Sequence, residues 1–195
     1  MNEITLQGVI KDIQYSHSIG NINYDKANLL VKRKDGKEDL IPIKFKNYFN
    51  RYSDNDFIEL KGNLRSYSEK LDSGKNKVNL YVFTYFDIPE SNDSNYIELD
   101  GRICSIDKIR VNSQGQKSIH FILANNILVS GKKINSYIPC VAWGEMCEDI
   151  ADFRVSDKVE LIGELHSRVY KKHLNEHEIE FRVAYEVNIS SIGRV

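Results

Sequence analysis

Several residue types are scarce in this 195-residue sequence, and each scarcity narrows what the chain can be. It has only three cysteines, Cys104, Cys140 and Cys147, and none forms a CxxC pair. An odd, unpaired set argues against a disulfide framework, so we expect reduced thiols, as in the cytoplasm. The apolar runs are short and interrupted by charge, and the first residues lack the pattern of a signal peptide. These absences predict a cytoplasmic protein with no membrane span.

A strong excess of positive charge is also missing, since the formal net charge is −1. Residues 1–90 hold 14 Lys and Arg against 13 Asp and Glu, and residues 91–195 hold 13 against 15. Neither part has the bulk charge that by itself indicates nucleic-acid binding. Any such binding must therefore use a local basic groove together with aromatic side chains.

Catalytic motifs are absent as well. The sequence has no P-loop, no GxGxxG and no HExxH, and its carboxylates are not clustered. His173 and His177 have the spacing of a helical metal pair, but they lie in a charged segment between two strand patterns, without a cysteine pair nearby. We therefore predict no enzymatic activity, no cofactor and no metal site.

The sequence does contain an internal repeat, which is typical of a duplicated fold. The pattern I-x-L-x-G-x-I opens both copies, and the matches keep their order along the chain. Their offsets lie between 93 and 101: residues 4–10 match 97–103, 40–43 match 137–140, 56–64 match 157–165, and Tyr85 matches Tyr185.

Each copy alternates apolar and polar positions in five segments, which predicts five half-buried strands. Between the third and fourth segments of the second copy, apolar residues recur at helical spacing over 144–153, and a shorter helix is expected at 46–53. This order is that of the OB-fold, a five-stranded barrel. We predict an all-β chain of two tandem OB-fold barrels, with one short helix in each domain. The strands are expected near 3–15, 24–33, 38–46, 56–68 and 77–88, and near 96–109, 117–129, 134–143, 158–170 and 178–190.

The domain boundary is predicted from composition, because Pro89 opens a short polar stretch. The first domain is expected over residues 1–89, the linker over 90–95 and the second domain over 96–195. Glycine weakens a strand unless the backbone needs it. Its recurrence at matching strand positions therefore predicts sharp bends there: Gly8 with Gly101, and Gly62 with Gly163.

The second copy carries five sequence features in order: the opening 97–103, a Ser113–Gln116 turn, Phe121–Ala124, Tyr137–Glu145, and 159–170 with its V-x-L-x-G-x-L-x-x-R-x-aromatic pattern. In these features it resembles the DNA-binding domain of the bacterial single-stranded-DNA-binding (SSB) proteins. The first copy resembles that family much less and is assigned by the repeat. The resemblance implies non-enzymatic, largely sequence-independent binding of single-stranded DNA.

In that family, aromatic residues on the barrel face stack on bases, and Tyr137, Trp143 and Tyr170 match such positions, whereas Val129 replaces a further one. The family's acidic, apolar tail that recruits partners has no counterpart in Ser191–Val195, so a recruiting role is not implied. Because single-barrel relatives typically join four barrels, a two-barrel chain is expected to form a homodimer.

Stacking tolerates any base sequence, and cations follow the phosphates, so aromatics beside cations are the candidate contacts. Alternatives stay open: Trp143 can plug a barrel, and the cations can form an ordinary solvated surface. The charged hairpin tip at 31–37 is a weaker candidate for phosphate contact. Of similar weight are three evenly spaced cations expected on one face of the first strand of the second copy: Arg102, Lys108 and Arg110. The predicted nucleic-acid-binding residues are Trp143, Tyr170, Tyr137, Arg168, Lys171, Lys172, Arg102 and Arg110 in the second copy, and Tyr67, Arg65, Lys44 and Lys46 in the first.

Three functions remain open at this point: single-strand DNA binding in replication, recombination or transfer of DNA, a protein-interaction adaptor, and RNA binding. A salt-sensitive affinity for single strands separates the adaptor from the other two. Comparing DNA with RNA of the same sequence separates those two from each other.

Overall fold

The computed structural model describes residues 1–47, 52–71, 74, 76–85, 95–129, 131–173 and 179–195, and these are almost entirely β-strand. The predicted all-β class is confirmed. In the first half the strands are β1 Asn2–Ile19, β2 Ile22–Lys32, β3 Glu38–Lys46, β4 Phe57–Lys70 and β5 Asn76–Tyr85. In the second half they are β6 Asn95–Ile106, β7 Arg110–Val111, β8 Lys117–Val129, β9 Lys132–Trp143, β10 Lys158–His173 and β11 Ile179–Arg194, with helix α1 Met146–Ala151 between β9 and β10.

The strand pairings have the order of the OB-fold. In the first half, β1 pairs with β2, β2 with β3, β3 with β5, β5 with β4, and β4 again with β1. The second half has the same order, β6–β8–β9–β11–β10–β6, with β7 added beside β8. The pairings of β3 with β5 and of β9 with β11 are parallel, and the others are antiparallel.

Buried apolar residues alternate with outward ones along these strands, as the sequence pattern predicts. In β1, for example, Ile4, Leu6 and Ile10 are fully buried. Helix α1 buries Cys147 and Ile150, so its predicted apolar face is confirmed. Each fully buried aliphatic side chain contributes about 1.5–3 kcal/mol. No helix in the described ranges has the length and apolar character needed to cross a membrane.

Some sequence predictions need correction or fall outside the description. Half of the predicted helix at 46–53, namely residues 48–51, and nearly all of the 90–95 linker lie outside the described residues. Lys46 ends β3, and Asn95 already begins β6. The expectation that Arg102, Lys108 and Arg110 share one strand face is wrong. The pairing register shifts after Ile103, β6 ends at Ile106, and Lys108 lies between β6 and β7.

The match of Tyr85 with Tyr185 is also wrong. Gly62 of β4 lies opposite Thr84, and its repeat equivalent, Gly163 of β10, lies opposite Ile189. The offset between the two copies is therefore 105 in their last strands, rather than 100. The β10–β11 hairpin is longer than β4–β5, and this length difference shifts the equivalence.

The two halves are joined by antiparallel pairing of β1 with β6, in which Ile4 lies opposite Ile97. These residues are equivalent in the repeat, so the pairing has an approximate twofold axis at this point. Asn2 donates to the carbonyl of Leu64 at 2.7 Å and accepts from its N–H at 2.8 Å. Asn95, the repeat equivalent of Asn2, makes the same two bonds with Leu165, at 2.8 and 2.9 Å. The junction is therefore built twice from the same buried contacts.

A buried carboxylate forms a second contact between the halves. Asp39 is fully buried; it accepts from Arg33 Nε at 2.6 Å and from the N–H and hydroxyl of Ser167 at 2.6 and 2.7 Å. Arg33 also donates to the Ser167 carbonyl at 2.7 Å. Burial alone raises the pKa of Asp39, but the hydrogen bonds from Arg33 and Ser167 outweigh it and hold that pKa below its ordinary value. Beside this contact, Tyr185 donates to the Leu40 carbonyl at 3.1 Å.

Close approach of paired strands explains the recurring strand glycines Gly8, Gly62, Gly101 and Gly163. A Cβ at each would lie 2.2–2.5 Å from a backbone carbonyl oxygen of the adjacent strand, and none of the four has a left-handed φ. These positions therefore need the absence of a side chain, not the conformational freedom of glycine.

Gly163→Ala is expected to lower the free energy of unfolding by about 2–3 kcal/mol, because the clashing atom is a backbone oxygen that cannot rotate away. Gly193→Ala, with nothing within 4 Å of the added Cβ, is the matched control. It should change stability by less than about 0.5 kcal/mol. Urea unfolding of both variants measures this, and equal stabilities would show that the close approach is not a constraint.

Asp39→Asn is expected to cost about 3 kcal/mol at neutral pH, because it leaves the Arg33 guanidinium partly buried without its carboxylate. Because the folded pKa of Asp39 is depressed, its contribution is present above its ordinary pKa of 3.8 and is lost as the pH falls through the lower folded pKa. The stability gap between wild type and variant should therefore narrow in acid. Denaturant unfolding between pH 7 and pH 3 tests this against Asp35→Asn at the exposed hairpin tip. A gap that does not change with pH would assign the effect to packing.

Candidate nucleic-acid interface

Outward-pointing side chains on four strands of the first half form a surface of aromatic rings and cations. Most of them alternate with core residues such as Leu29 and Ile43, so strand periodicity places them on the outward side of the strands. Tyr24 and Arg65 are nevertheless buried, at 9% and 8% exposed. The register sets Lys26 opposite Lys44, and Lys44 in turn opposite Phe83. This surface, called the first outer face below, consists of Tyr24, Lys26, Lys44, Lys46, Arg65, Tyr67, Tyr81 and Phe83.

Lys44 lies at the centre of the first outer face. Its Nζ is 4.6 Å from the centroid of the Tyr81 ring and 5.5 Å from that of Tyr67, and the two ring centroids are 6.0 Å apart. Within the described residues, neither Lys44 nor Lys26 forms an ion pair with a carboxylate. Burial, and secondarily the charge of Lys26, lower the pKa of Lys44. Like charges directly opposite each other are unfavourable, so this position favours a bound anion.

Arg65 lies beneath this surface. It is 8% exposed, its Cζ sits 4.0 Å from the Phe83 ring centroid, and its Nε has no hydrogen-bond partner among the described residues. Burial lowers the pKa of Arg65, and the nearby Tyr81 partly offsets that effect. The sequence predicted Arg65 as a direct contact. In the structure its guanidinium packs against the Phe83 ring and is largely shielded from solvent.

An aromatic row continues along the first outer face. Tyr24 stacks on His17 with centroids 4.8 Å apart and planes 6° from parallel, and Phe83 is 6.1 Å from Tyr24. Lys46, predicted from sequence, is half-buried and lies opposite Tyr24. Sequence reasoning missed Tyr24, Tyr81 and Phe83. The signal that could have identified them is an aromatic residue at a strand position where the alternating pattern calls for a polar one.

In the second half, Trp143 lies at the surface. It is 41% exposed, and its Nε1 donates to Asn188 Oδ1 at 2.8 Å. The alternative that it plugs the barrel is therefore wrong. The ring is fixed by a polar contact and keeps part of its surface open to a ligand.

The β10–β11 hairpin carries cations beside aromatic rings. Arg168 Cζ is 5.8 Å from the Tyr170 ring centroid, and its Nε is 3.5 Å from a carboxylate oxygen of Glu186. On the opposite side of the hairpin, Lys171 Nζ lies 5.7 Å from the Phe181 ring centroid. Lys172 is half-buried on the same side as Tyr170.

The remaining predicted residues are dispersed, and the side chains of Arg102 and Arg110 already have partners. Tyr137 is 48% exposed at the junction of the halves, where its N–H donates to Ser66 Oγ at 2.8 Å. Arg102 donates to the Ser156 carbonyl at 2.9 Å. Arg110 forms an ion pair with Asp107 at 2.6 Å.

In the hairpin tip at 31–37, Arg33, Lys34 and Lys37 already have acidic partners. Arg33 is held by the buried Asp39, and Lys34 lies 3.4 Å from Glu164 of the second half. This tip therefore contributes to the contact between the halves.

Equivalent positions show how far the two halves differ. Lys44 pairs with Phe83 at the closing parallel ladder, and the matching pair in the second half is Val141 with Asn188. Glu186 occupies the place of a first-half tyrosine. The second half therefore has a carboxylate at the position of Tyr81, and an uncharged valine at the position of Lys44.

A cavity of about 550 Å³ opens between the first outer face and the β10–β11 hairpin. The cavity is lined on one side by Lys26, Lys44, Tyr67 and Tyr81 and on the other by Phe181, Arg182, Val183 and Tyr185.

Among the described residues, no group of three or more His, Cys, Asp or Glu is placed to hold a metal ion.

Among solved structures, this chain is similar to the single-stranded DNA binding protein from Thermus aquaticus. The wild-type protein matches with a TM-score of 0.73 at 18% identity, over 100% of this chain and 93% of that one. A deletion mutant of the same protein matches with a TM-score of 0.72 at 17% identity, over 100% of this chain and 94% of that one. The predicted resemblance to the bacterial SSB proteins is confirmed at the level of the fold.

Sequence comparison adds nothing to this likeness. No protein-family model matches the chain. No curated protein matches it either.

Proposed function

We propose that the chain binds single-stranded DNA largely independently of base sequence, without catalysis, and acts in the cytoplasm in replication, recombination or transfer of DNA. The observation that carries this proposal is the first outer face, where the rings of Tyr67 and Tyr81 lie at contact distance from Lys44, a lysine without an ion-pair partner among the described residues. The fold shared with a single-stranded DNA binding protein supports it.

The proposed architecture is two OB-fold domains in tandem, over residues 1–89 and 96–195, with a linker at 90–95. The matching order of strand pairings in the two halves supports this division. Each OB-fold would offer one outer face to the strand.

The binding mechanism follows from what a single strand exposes. Bases stack on Tyr67, Tyr81 and Phe83 whatever their identity, and each stack contributes about 1–3 kcal/mol. Phosphates between the stacked bases neutralise Lys26 and Lys44, whose mutual repulsion in the free protein is then relieved. The ligand thus removes an unfavourable contact while it forms favourable ones.

Further contacts extend this path in the proposal. Arg65 holds the rings from below, and Lys46 lies at the end of β3 beside them. The second half adds a more weakly binding surface, because its carboxylates repel phosphates. Its members are Trp143, Tyr137, Arg168, Tyr170, Lys171 and Lys172, with Arg102 and Arg110 as outlying cations.

Binding can be tested with labelled oligo-dT by fluorescence anisotropy. Tyr81→Ala should weaken binding about 5- to 150-fold, the loss of roughly one stacked base. Lys44→Gln should weaken it and reduce the salt slope by about 0.7, the value for one phosphate contact on a single strand. Phe57→Ala, which removes a 72% exposed ring at the far end of β4, is the control and should bind as wild type does.

The same titration can follow the fluorescence of Trp143, the only tryptophan. Absence of wild-type binding at micromolar protein in low salt, by both signals, would overturn the proposal and turn attention to a protein partner. Equal or tighter binding of oligo-U would assign the site to RNA.

We also propose that the protein is a homodimer with four OB-folds, as the resemblance to the SSB proteins implies. Light scattering should then give twice the 22.6 kDa mass of one chain at micromolar concentration. A mass of one chain across the accessible concentration range would rule the dimer out, without affecting the proposal of DNA binding.

A further inference from the structure

We propose that the cavity between the halves is a slot through which the single strand of DNA passes, with the same stretch of nucleotides held by both halves at once. This inference rests on the proposed function and adds a second, opposing wall to the first outer face. The second wall is the side of the β10–β11 hairpin that carries Phe181 and Val183.

The first wall has the chemistry of a nucleotide contact. Lys44 lies between the rings of Tyr67 and Tyr81, and Lys26 lies directly opposite Lys44 on the neighbouring strand. A base on either ring would bring its phosphate close to two amino groups. All four side chains line the cavity.

The second wall presents a large ring that the core of the protein does not use. Phe181 is 64% exposed and Val183 is 40% exposed, although both lie in a strand paired along its whole length. Lys171 lies 5.7 Å from the Phe181 ring centroid, so an aromatic ring again has a cation beside it. A base that stacks on Tyr67 or Tyr81 can present its other face to this wall.

The charges of the lining favour an anionic occupant over an apolar protein segment. Lys26, Lys44, Lys77 and Arg182 stand against two carboxylates, those of Asp12 and Glu180, which leaves a net charge of +2. Glu180 is already paired with Arg182 at 2.6 Å. The unpaired charge is therefore on the lysines of the first half, opposite Phe181.

The volume of the cavity, and the hydrogen bonds that hold its two walls together, are consistent with a preformed binding site. About 550 Å³ is within the range of pockets that hold small ligands, so a nucleotide-sized group can enter. Tyr185, between the two walls, is anchored to the Leu40 carbonyl at 3.1 Å, and Ser167 of the same hairpin is anchored to Asp39 at 2.6 Å. Because these bonds fix the hairpin over the first half, little ordering is needed when the strand binds.

The test compares Phe181→Ala with Phe57→Ala, a control that also removes an exposed aromatic ring from a strand but outside the cavity. Affinity for oligo-dT is measured by anisotropy, and thermal unfolding confirms that both variants fold. Phe181→Ala should weaken binding about 5- to 150-fold, and the control should leave it unchanged. Phe181→Tyr should restore binding, because it restores a ring that can stack.

A double-mutant cycle of Phe181→Ala with Tyr81→Ala decides whether both walls hold the same nucleotides. Shared nucleotides should make the combined loss clearly smaller than the product of the two single losses. Simple additivity would place Phe181 on a separate part of the strand and overturn the slot. Wild-type affinity of Phe181→Ala, with a loss in Tyr81→Ala, would overturn the slot and leave the proposed function intact. If wild type itself did not bind, the proposed function would fail first.

Discussion

The antiparallel pairing of β1 with β6 is the interaction on which the arrangement of the two halves depends. It uses Asn2–Leu6 of the first strand and Asn95–Leu99 of the sixth, and it joins the eleven strands into one continuous sheet. An unpaired strand edge attracts other chains, so each half covers the exposed edge of the other. The same pairing places the hairpin of the second half over the first outer face, together with the hydrogen bonds that Ser167 donates to Asp39 and Tyr185 to the Leu40 carbonyl.

The approximate twofold symmetry of this junction stops at the outer faces. The β10–β11 hairpin has two strands of 16 residues, whereas β4 and β5 have 14 and 10. The longer hairpin extends further over the neighbouring half, whereas β4 contacts the second half through Ser66, which bonds the N–H of Tyr137. One half thus keeps an open cationic and aromatic face, and the other provides a cover for it. A symmetric duplication would have placed two equal faces side by side.

Much of the fold could be predicted from the sequence, because strand periodicity and the recurring glycines are local signals. The strands follow from the alternation of apolar and polar residues, and helix α1 follows from apolar residues at helical spacing. Their order along the chain is that of the OB-fold. The site was harder to predict, because it depends on register. That Lys26 faces Lys44, and that Arg65 faces Tyr81 and is buried under Phe83, follows from pairings between distant segments. The resemblance to the SSB proteins also placed most of the predicted contact residues in the second half. There, Glu186 occupies the position that Tyr81 has in the first half.

The pairing of β1 with β6 also sets an order for folding during synthesis. All pairings that close the first ring lie within residues 2–85, so this half can fold before β6 leaves the ribosome. Until then, the edge of β1 that pairs with β6 has no partner strand. Two nascent chains on one messenger could exchange their β6 strands at this edge, and the product would be a domain-swapped dimer. The short distance along the chain from β5 to β6 disfavours this exchange, because the correct partner arrives soon after the first ring has closed and at high local concentration.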